Sequence, residues 1–291
     1  MAIQVLQVPY DSGHRARRMG AGPIHLVERG GVVDRLRRIT PDVKLDPVEV
    51  GAAFPTEIGT AFELHRAVAG KAATAAQTGK LPLVLSGNCN SAIGTVAGLQ
   101  AAAPDRPVGV IWLDGHGDCS TPENFTGDFL DEMGLSTLTG RCWQALARTV
   151  PGHRAVADEH AVLVGGHGMI DAARDVLAAS RITNVLVADI VTEGAGRALA
   201  PALDSLARAG VTRVYLHLDV DVLDAAFAPA NEFAPRGGLL PDDVLAATEA
   251  VADRFSIAAA AVASYDPAFD REDRVLDTAL RFLELVARRS G

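Results

Sequence analysis

An apolar run at residues 108–118 ends in three potential metal ligands, Asp114, His116 and Asp118, each separated from the next by one residue. In an extended backbone alternate side chains point to the same side, so these three can converge on one point. The glycines between them let the chain approach closely. Carboxylates with an imidazole favour Mn²⁺ or a similar divalent ion over a structural zinc held by thiolates. The alternative is a loop whose acids cap the next helix.

A second apolar run, at residues 211–224, also ends in alternating acids, Asp219 and Asp221. Buried carboxylates repel one another and are costly to desolvate, and a bound cation removes that cost. Together the two strand ends offer enough ligands for two metal ions that share carboxylates. Because the run at 108–118 is typical of a strand buried on both faces, we expect a parallel sheet covered by helices.

The motifs Asp-Gly-His-Gly-Asp, at 114–118, and His-Leu-Asp-Val-Asp, at 217–221, resemble those of the ureohydrolases: arginase, agmatinase, formimidoylglutamase and their relatives. The resemblance covers most of the chain. It implies an arginase-like α/β fold and a centre of two Mn²⁺ ions. It also implies hydrolysis of a C–N bond in a linear amidine or guanidine by a hydroxide that bridges the metals.

The resemblance assigns a role to each ligand. Asp114 and Asp219 are expected to bridge the two ions. His116 and Asp221 are expected on one ion, and Asp118 on the other. Asp118 and His116 are the predicted catalytic residues, and Asp118 is placed to pass a proton from the hydroxide to the leaving amine.

Cys89 stands where the family motif Gly-Gly-Asp/Asn-His-Ser has a histidine that binds one manganese. A soft thiolate is a poor ligand for Mn²⁺. The ion at this position is therefore expected to bind weakly, or to be replaced by a softer ion such as Fe²⁺ or Zn²⁺. Alternatively, Cys89 packs beside the site as a small buried hydrophobe.

Other departures from the family fall on groups that hold the substrate. The substrate loop matches the family's Ser-Gly-Asn-x-His-Gly loosely, at 126–128, and Leu130 or Asp131 replaces its proton-shuttling histidine. Ser264 replaces the glutamate that pairs with the guanidinium group, while Asp266 either compensates for that loss or is a turn residue. The predicted substrate-binding residues are Thr126, Asp128, Asp131, Ser264 and Asp266.

These departures predict a metal-dependent hydrolase whose best substrate is not L-arginine. N-hydroxyarginine is one candidate substrate, because it is expected to need less help for its leaving group. Other guanidino or formimino compounds are further candidates. The alternative is a non-catalytic metal-binding homologue with a regulatory or scaffold role, motivated by the replacements at Cys89 and Ser264. Retention of the five other metal ligands favours the enzyme.

Composition limits the possible partners. The 291 residues are 48% hydrophobic and 22% charged, and we expect one three-layer, doubly wound, mainly parallel α/β domain over residues 1–291. A net charge of -9 argues against nucleic acid and anionic membranes and leaves a small-molecule substrate. We recognise no secretory signal or membrane span and expect a cytoplasmic protein. The family resemblance implies a homo-oligomer, either a trimer or a hexamer.

Two continuous helices, at residues 23–38 and 134–148, are predicted among the elements that cover the sheet. The first begins with a proline, which is favoured in the first turn of a helix. The second follows the polar substrate loop. Further strand and helix units continue to the end of the chain.

Overall fold

The strands alternate with helices along the chain and form a parallel sheet. The computed structural model describes residues 1–50, 56–125, 127 and 129–290. Within these ranges the strands of the sheet are β1 (Ala2–Val8), β4 (Val43–Pro47), β5 (Lys80–Ser86), β6 (Gly109–Asp114), β7 (Ala161–Gly165), β8 (Thr183–Val185), β9 (Arg213–Asp219) and β10 (Ser256–Ala263). A separate short hairpin consists of β2 (Tyr10–Asp11) and β3 (His14–Arg15).

The strand order across the sheet is β4-β1-β5-β10-β9-β6-β7-β8. Every neighbouring pair in this order is parallel over the described residues. The predicted α/β fold with a mainly parallel sheet is therefore confirmed.

Helices cover both faces of this sheet. They are α1 (Gly22–Glu28), α2 (Val32–Arg37), α3 (Glu57–Gln77), α4 (Ala92–Ala102), α5 (Gly134–Leu138), α6 (Gln144–Ala147), α7 (Asp171–Ala178), α8 (Val187–Glu193), α9 (Ala195–Arg208), α10 (Pro241–Ala252) and α11 (Arg274–Arg289). The core on one face includes α1, α2, α9, α10 and α11, and the core on the other includes α3, α4, α5 and α7. None of the helices in the described part of the chain is long and apolar enough to cross a membrane.

Strand β6 shows how the sequence produces these layers. Ile111 and Leu113 enter the core on one face, whereas Val110 and Trp112 enter the core on the other. All four side chains are fully buried. Because alternate residues of a strand point to opposite faces, an uninterrupted apolar run is what a strand covered on both sides requires.

The two predictions of continuous helices were wrong. The first helix divides into α1 and α2 at Gly31, whose φ of 60° lies in the left-handed region that glycine adopts readily. The second divides into α5 and α6, where Gly140 and Trp143 have φ of 80° and 49°. Helices α7 and α8 were not predicted.

The topology brings the two acidic motifs together. Strands β6 and β9 are neighbours near the middle of the sheet, with Leu113 paired with Leu218. Strand β10 lies on the other side of β9, with Ala263 paired with Asp219. Parallel strands end at the same edge of a sheet, which is where α/β proteins place their ligands. The residues that follow β5, β6, β9 and β10 therefore meet at one edge.

Candidate metal centre

Three of the predicted ligands form a compact group. Each of Asp114, His116 and Asp221 offers a ligand atom, and these atoms lie within 4.8 Å of one another. His116 Nδ1 is 3.2 Å from Asp221 Oδ2. A Cβ atom at Gly115 would lie 2.7 Å from the Asp221 carbonyl oxygen, so this close approach of the two strand ends requires glycine.

Asp114 is held by donors two residues before it and two residues after it in the chain. Its Oδ2 accepts a hydrogen bond of 2.7 Å from Trp112 Nε1, and its Oδ1 accepts one of 2.6 Å from the His116 backbone N–H. The Trp112 ring is stacked on His217 with centroids 3.8 Å apart, and His217 Nδ1 is 2.8 Å from the Tyr215 hydroxyl. The carboxylate of Asp114 thus has one orientation, fixed by a buried aromatic layer.

Asp118 occupies an unusual backbone conformation. Its φ is 48°, a value that a non-glycine residue adopts only where its surroundings impose it. Its carbonyl oxygen accepts a hydrogen bond of 3.1 Å from the Ser136 N–H. The side-chain Oδ2 is buried and has no hydrogen-bond partner among the described residues. Buried acceptors normally have a donor, so this oxygen is expected to find its partner in a bound ligand.

The electrostatics of these acids call for positive charge. Burial raises the pKa of Asp114, Asp118 and Asp219, and repulsion between neighbouring carboxylates raises it further. Burial alone would lower the pKa of His116, but Asp221 and Asp114 raise it to about 10. Burial raises the pKa of Asp221, but the charge of His116, together with hydrogen bonds from His116 and from the Gly115 N–H, lowers it overall. One imidazolium does not balance four buried carboxylates, so the donor set fits divalent cations.

The Cys89 thiol lies against a predicted ligand. Its Sγ donates a hydrogen bond of 2.8 Å to Asp219 Oδ2 and is 3.2 Å from the Ser264 hydroxyl oxygen. Burial raises the pKa of this thiol well above its ordinary value, and the charge of Asp219 adds to the effect. Two of the residues that depart from the ureohydrolase pattern, Cys89 and Ser264, are therefore neighbours in space.

Asp131 is fully engaged by the turn after β5. Its Oδ1 accepts a hydrogen bond of 2.7 Å from the Asn90 N–H. Its Oδ2 accepts bonds of 2.9 Å from the Cys89 N–H and 3.0 Å from the Asn88 side-chain amide. The carboxylate thus holds the backbone that carries Cys89. It also lines the pocket above the predicted metal ligands.

The other predicted substrate-binding residues lie in different places. Ser264 lines the pocket, whereas Asp266 is not among the described residues that line it. Asp266 Oδ1 accepts a hydrogen bond of 2.9 Å from the Ala268 N–H, as expected of a turn aspartate. Thr126 and Asp128 lie outside the described residues.

A small pocket, with a cavity volume of about 20 Å³, is lined by four of the predicted metal ligands, His116, Asp118, Asp219 and Asp221. Several residues of this pocket belong to no recognised motif. Asn231 links two parts of the site, because its side-chain amide is 3.4 Å from Asp221 Oδ2 and donates a 2.9 Å bond to the Ser264 carbonyl oxygen. The lining residues that sequence reasoning missed are Met19, Phe129, Glu132, Asn231 and Phe233.

A parallel α/β sheet whose strand ends bring carboxylates and an imidazole together defines a class of α/β proteins with a candidate metal site at the carboxyl edge of the sheet. The chain belongs to the arginase family, whose model matches residues 1–288. Members of this family hydrolyse C–N bonds in linear amidines, and this chain is a hydrolase of that type.

Two arginases and a formimidoylglutamase illustrate the similarity. The chain is 26% identical to the arginase of Bacillus caldovelox, over 97% of this chain and 96% of that protein. The crystal structure of arginase from Bacillus cereus matches with a TM-score of 0.87 at 26% identity, and the match covers 98% of each chain. Formimidoylglutamase from Bacillus subtilis shares the fold, with a TM-score of 0.76 at 14% identity over 99% of this chain and 86% of that one.

Proposed function

We propose that this arginase-family hydrolase acts on a guanidino compound other than L-arginine, with N-hydroxyarginine as the first candidate and other guanidino or formimino compounds next. The observation that carries the proposal is the contact between Cys89 and Ser264 beside Asp219. The ureohydrolase pattern has a metal-binding histidine and a guanidinium-binding glutamate at these two positions. The replacements therefore weaken one metal position and one substrate contact together.

The substrate preference follows from these replacements. A serine hydroxyl cannot make the charge-assisted, bidentate contact that a carboxylate makes with a guanidinium group. A thiol in place of an imidazole is a poorer ligand for Mn²⁺. N-hydroxyarginine releases the same amine as arginine when it yields hydroxyurea, but its hydroxyguanidinium group is more acidic than a guanidinium group, so it needs less activation at the centre.

The predicted ligands divide into two sets in this proposal. Asp114, His116 and Asp221 would hold one divalent ion. Asp118 would hold the second, with Cys89 as a weak ligand, and both Asp114 and Asp219 would be ligands of both ions. Mn²⁺ at the second position is therefore bound loosely or gives way to a softer ion. When bound, such ions lower the pKa of a water molecule and polarise the substrate.

The chain's own residues supply the rest of the reaction. The unpartnered Asp118 Oδ2 is placed to accept the proton of the attacking water and to deliver it to the leaving nitrogen. The Trp112 N–H and the buried aromatic layer below it hold Asp114 in place. Phe129 and Phe233 lie over the pocket with ring centroids 5.5 Å apart, and they limit the access of bulk water.

Three further expectations belong to the same proposal. The chain works as one unit over residues 1–291, assembles as a homo-oligomer, either a trimer or a hexamer, and acts in the cytoplasm on a small molecule. The net charge of -9 supports a cationic or neutral substrate rather than nucleic acid.

The test is product release by Mn²⁺-loaded protein. Urea or hydroxyurea is measured with L-arginine, N-hydroxyarginine, agmatine and guanidino acids, and formamide with formimino compounds. We expect N-hydroxyarginine to be the best substrate and Asp118→Asn to lower kcat by about 100-fold or more, within the range of a lost general acid/base. Turnover of L-arginine above all others would contradict the substrate assignment. Bound metal without any product would favour the non-catalytic alternative.

A further inference from the structure

Glu132 is a pocket carboxylate that belongs to no recognised motif. It lies on the short 3-10 turn Leu130–Met133 and lines the pocket together with His116, Asp118 and Ser264. The residue is half-buried. In the described ranges of the chain, no hydrogen bond or ion pair engages its carboxylate. The Glu132 carboxylate, in a pocket lined by the proposed metal-binding residues, is therefore available to bind a substrate.

The backbone around Glu132 is fixed on both sides. Its carbonyl oxygen accepts a hydrogen bond of 3.0 Å from the Ser120 N–H, in the segment that follows Asp118. The preceding residue, Asp131, is held by three N–H donors of the turn at 88–90. A side chain on a fixed backbone loses less freedom when it binds a ligand, which favours recognition by Glu132.

We propose that Glu132 binds the cationic guanidinium or amidinium head of the substrate, in place of the carboxylate that is absent at Ser264. The inference rests on the proposed function and adds a specificity-determining residue to it. Hydrogen bonds between a guanidinium group and a carboxylate are charge-assisted and strong. The rings of Phe129 and Phe233 line the same pocket, and an aromatic face also attracts a cation.

The electrostatics around Glu132 agree with this role. Burial raises the pKa of Glu132, the positive charge of His116 opposes the rise, and Asp114 and Asp221 add to it. A carboxylate that is disfavoured by burial and by like charges gains most from a cationic partner. A substrate with a neutral head would gain less from this contact.

The test compares Glu132→Gln with Glu123→Gln, a change of the same type at an exposed glutamate on the same loop. Glu132→Gln should raise KM for the best guanidino substrate about 10- to 100-fold and leave kcat within about threefold, because a contact made equally in ground and transition states is lost. The number of metal ions bound per chain should not change, and Glu123→Gln should match the wild type. Glu132→Asp, which keeps the charge, should recover part of the loss.

Two outcomes would overturn the inference: an unchanged KM in Glu132→Gln, or a loss of bound metal in that variant, which would make Glu132 a ligand. If the wild type turns over no substrate, the proposed function fails separately. The inference is then tested by calorimetric binding of agmatine to metal-loaded protein. Weaker binding by Glu132→Gln than by Glu123→Gln would support it, and equal binding would refute it.

Discussion

Trp112 offers a way to weaken the proposed metal centre without changing a proposed ligand. The proposed perturbation is Trp112→Phe, which keeps an aromatic ring against His217 but removes the indole N–H that donates to Asp114 Oδ2 at 2.7 Å. Trp112 is fully buried, so water cannot replace the lost donor. The variant therefore leaves one oxygen of Asp114 free to rotate away from its orientation in the metal centre.

The expected magnitude follows from that one hydrogen bond. A hydrogen bond to a charged group contributes about 1.5–3 kcal/mol, which corresponds to a change of about 10- to 100-fold in an affinity. Loss of a residue that orients a metal ligand typically has an effect of the same size. Trp112→Phe should therefore weaken Mn²⁺ binding about 10- to 100-fold. The smaller ring also leaves space, so the metal-free protein should lose about 1–3 kcal/mol of unfolding free energy.

The assay is a titration of metal-free protein with Mn²⁺ in competition with a chelating dye, with urea unfolding measured on the same samples. Trp143→Phe is the matched control, because Trp143 is the chain's other tryptophan and, among the described residues, its Nε1 donates to the sulfur of Met133, at 3.2 Å, and not to a predicted metal ligand. Trp143→Phe should bind Mn²⁺ like the wild type. A Trp112→Phe protein that binds Mn²⁺ within about twofold of the wild type would refute the reasoning.

Three further predictions concern the charges and the turn around Cys89. The pKa values of Asp118 and Asp219 are raised in the folded chain, so the metal-free protein loses stability as the pH rises through these raised pKa values. Mn²⁺ should therefore raise the melting temperature more at about pH 8 than at about pH 6, and equal increases at the two pH values would contradict the prediction. Cys89→His should increase the Mn²⁺ bound per chain, measured by elemental analysis after gel filtration, and no increase would place residue 89 outside the centre. Asp131→Asn should lower the free energy of unfolding, measured in urea, by about 2–4 kcal/mol, because N–H donors of the turn at residues 88–90 lose their acceptor. A loss of kcat with unchanged stability would instead indicate that Asp131 carries a proton in the reaction.

The central part of the site could be predicted because its residues lie close together in short sequence motifs at the ends of strands. Asp114 and His116 end one apolar run and Asp221 follows another, and the carboxyl ends of parallel strands share an edge. Alternation along an extended chain then brings the side chains together. The strand order, which makes β6 and β9 neighbours, could not be predicted from the sequence.

The pocket above the ligands could not be predicted because it depends on loops that only the tertiary fold brings together. Glu132 and Phe233 are about a hundred residues apart in the sequence, and neither belongs to a periodic pattern. The contact of Cys89 with Ser264 joins the ends of β5 and β10, which are neighbours in the sheet. The break at Gly31 could have been predicted, since a Gly-Gly pair marks a turn within a helical pattern.

The measurement that tests the central claim most directly is kcat/KM for N-hydroxyarginine and for L-arginine, on the same Mn²⁺-loaded preparation and with Asp118→Asn beside it. We predict that N-hydroxyarginine is preferred by about tenfold or more, a difference of about 1.4 kcal/mol in transition-state stabilisation, and that Asp118→Asn loses turnover of both substrates. A preference for L-arginine would contradict the role given to Cys89 and Ser264. Full activity of Asp118→Asn would contradict the assignment of the catalytic centre itself.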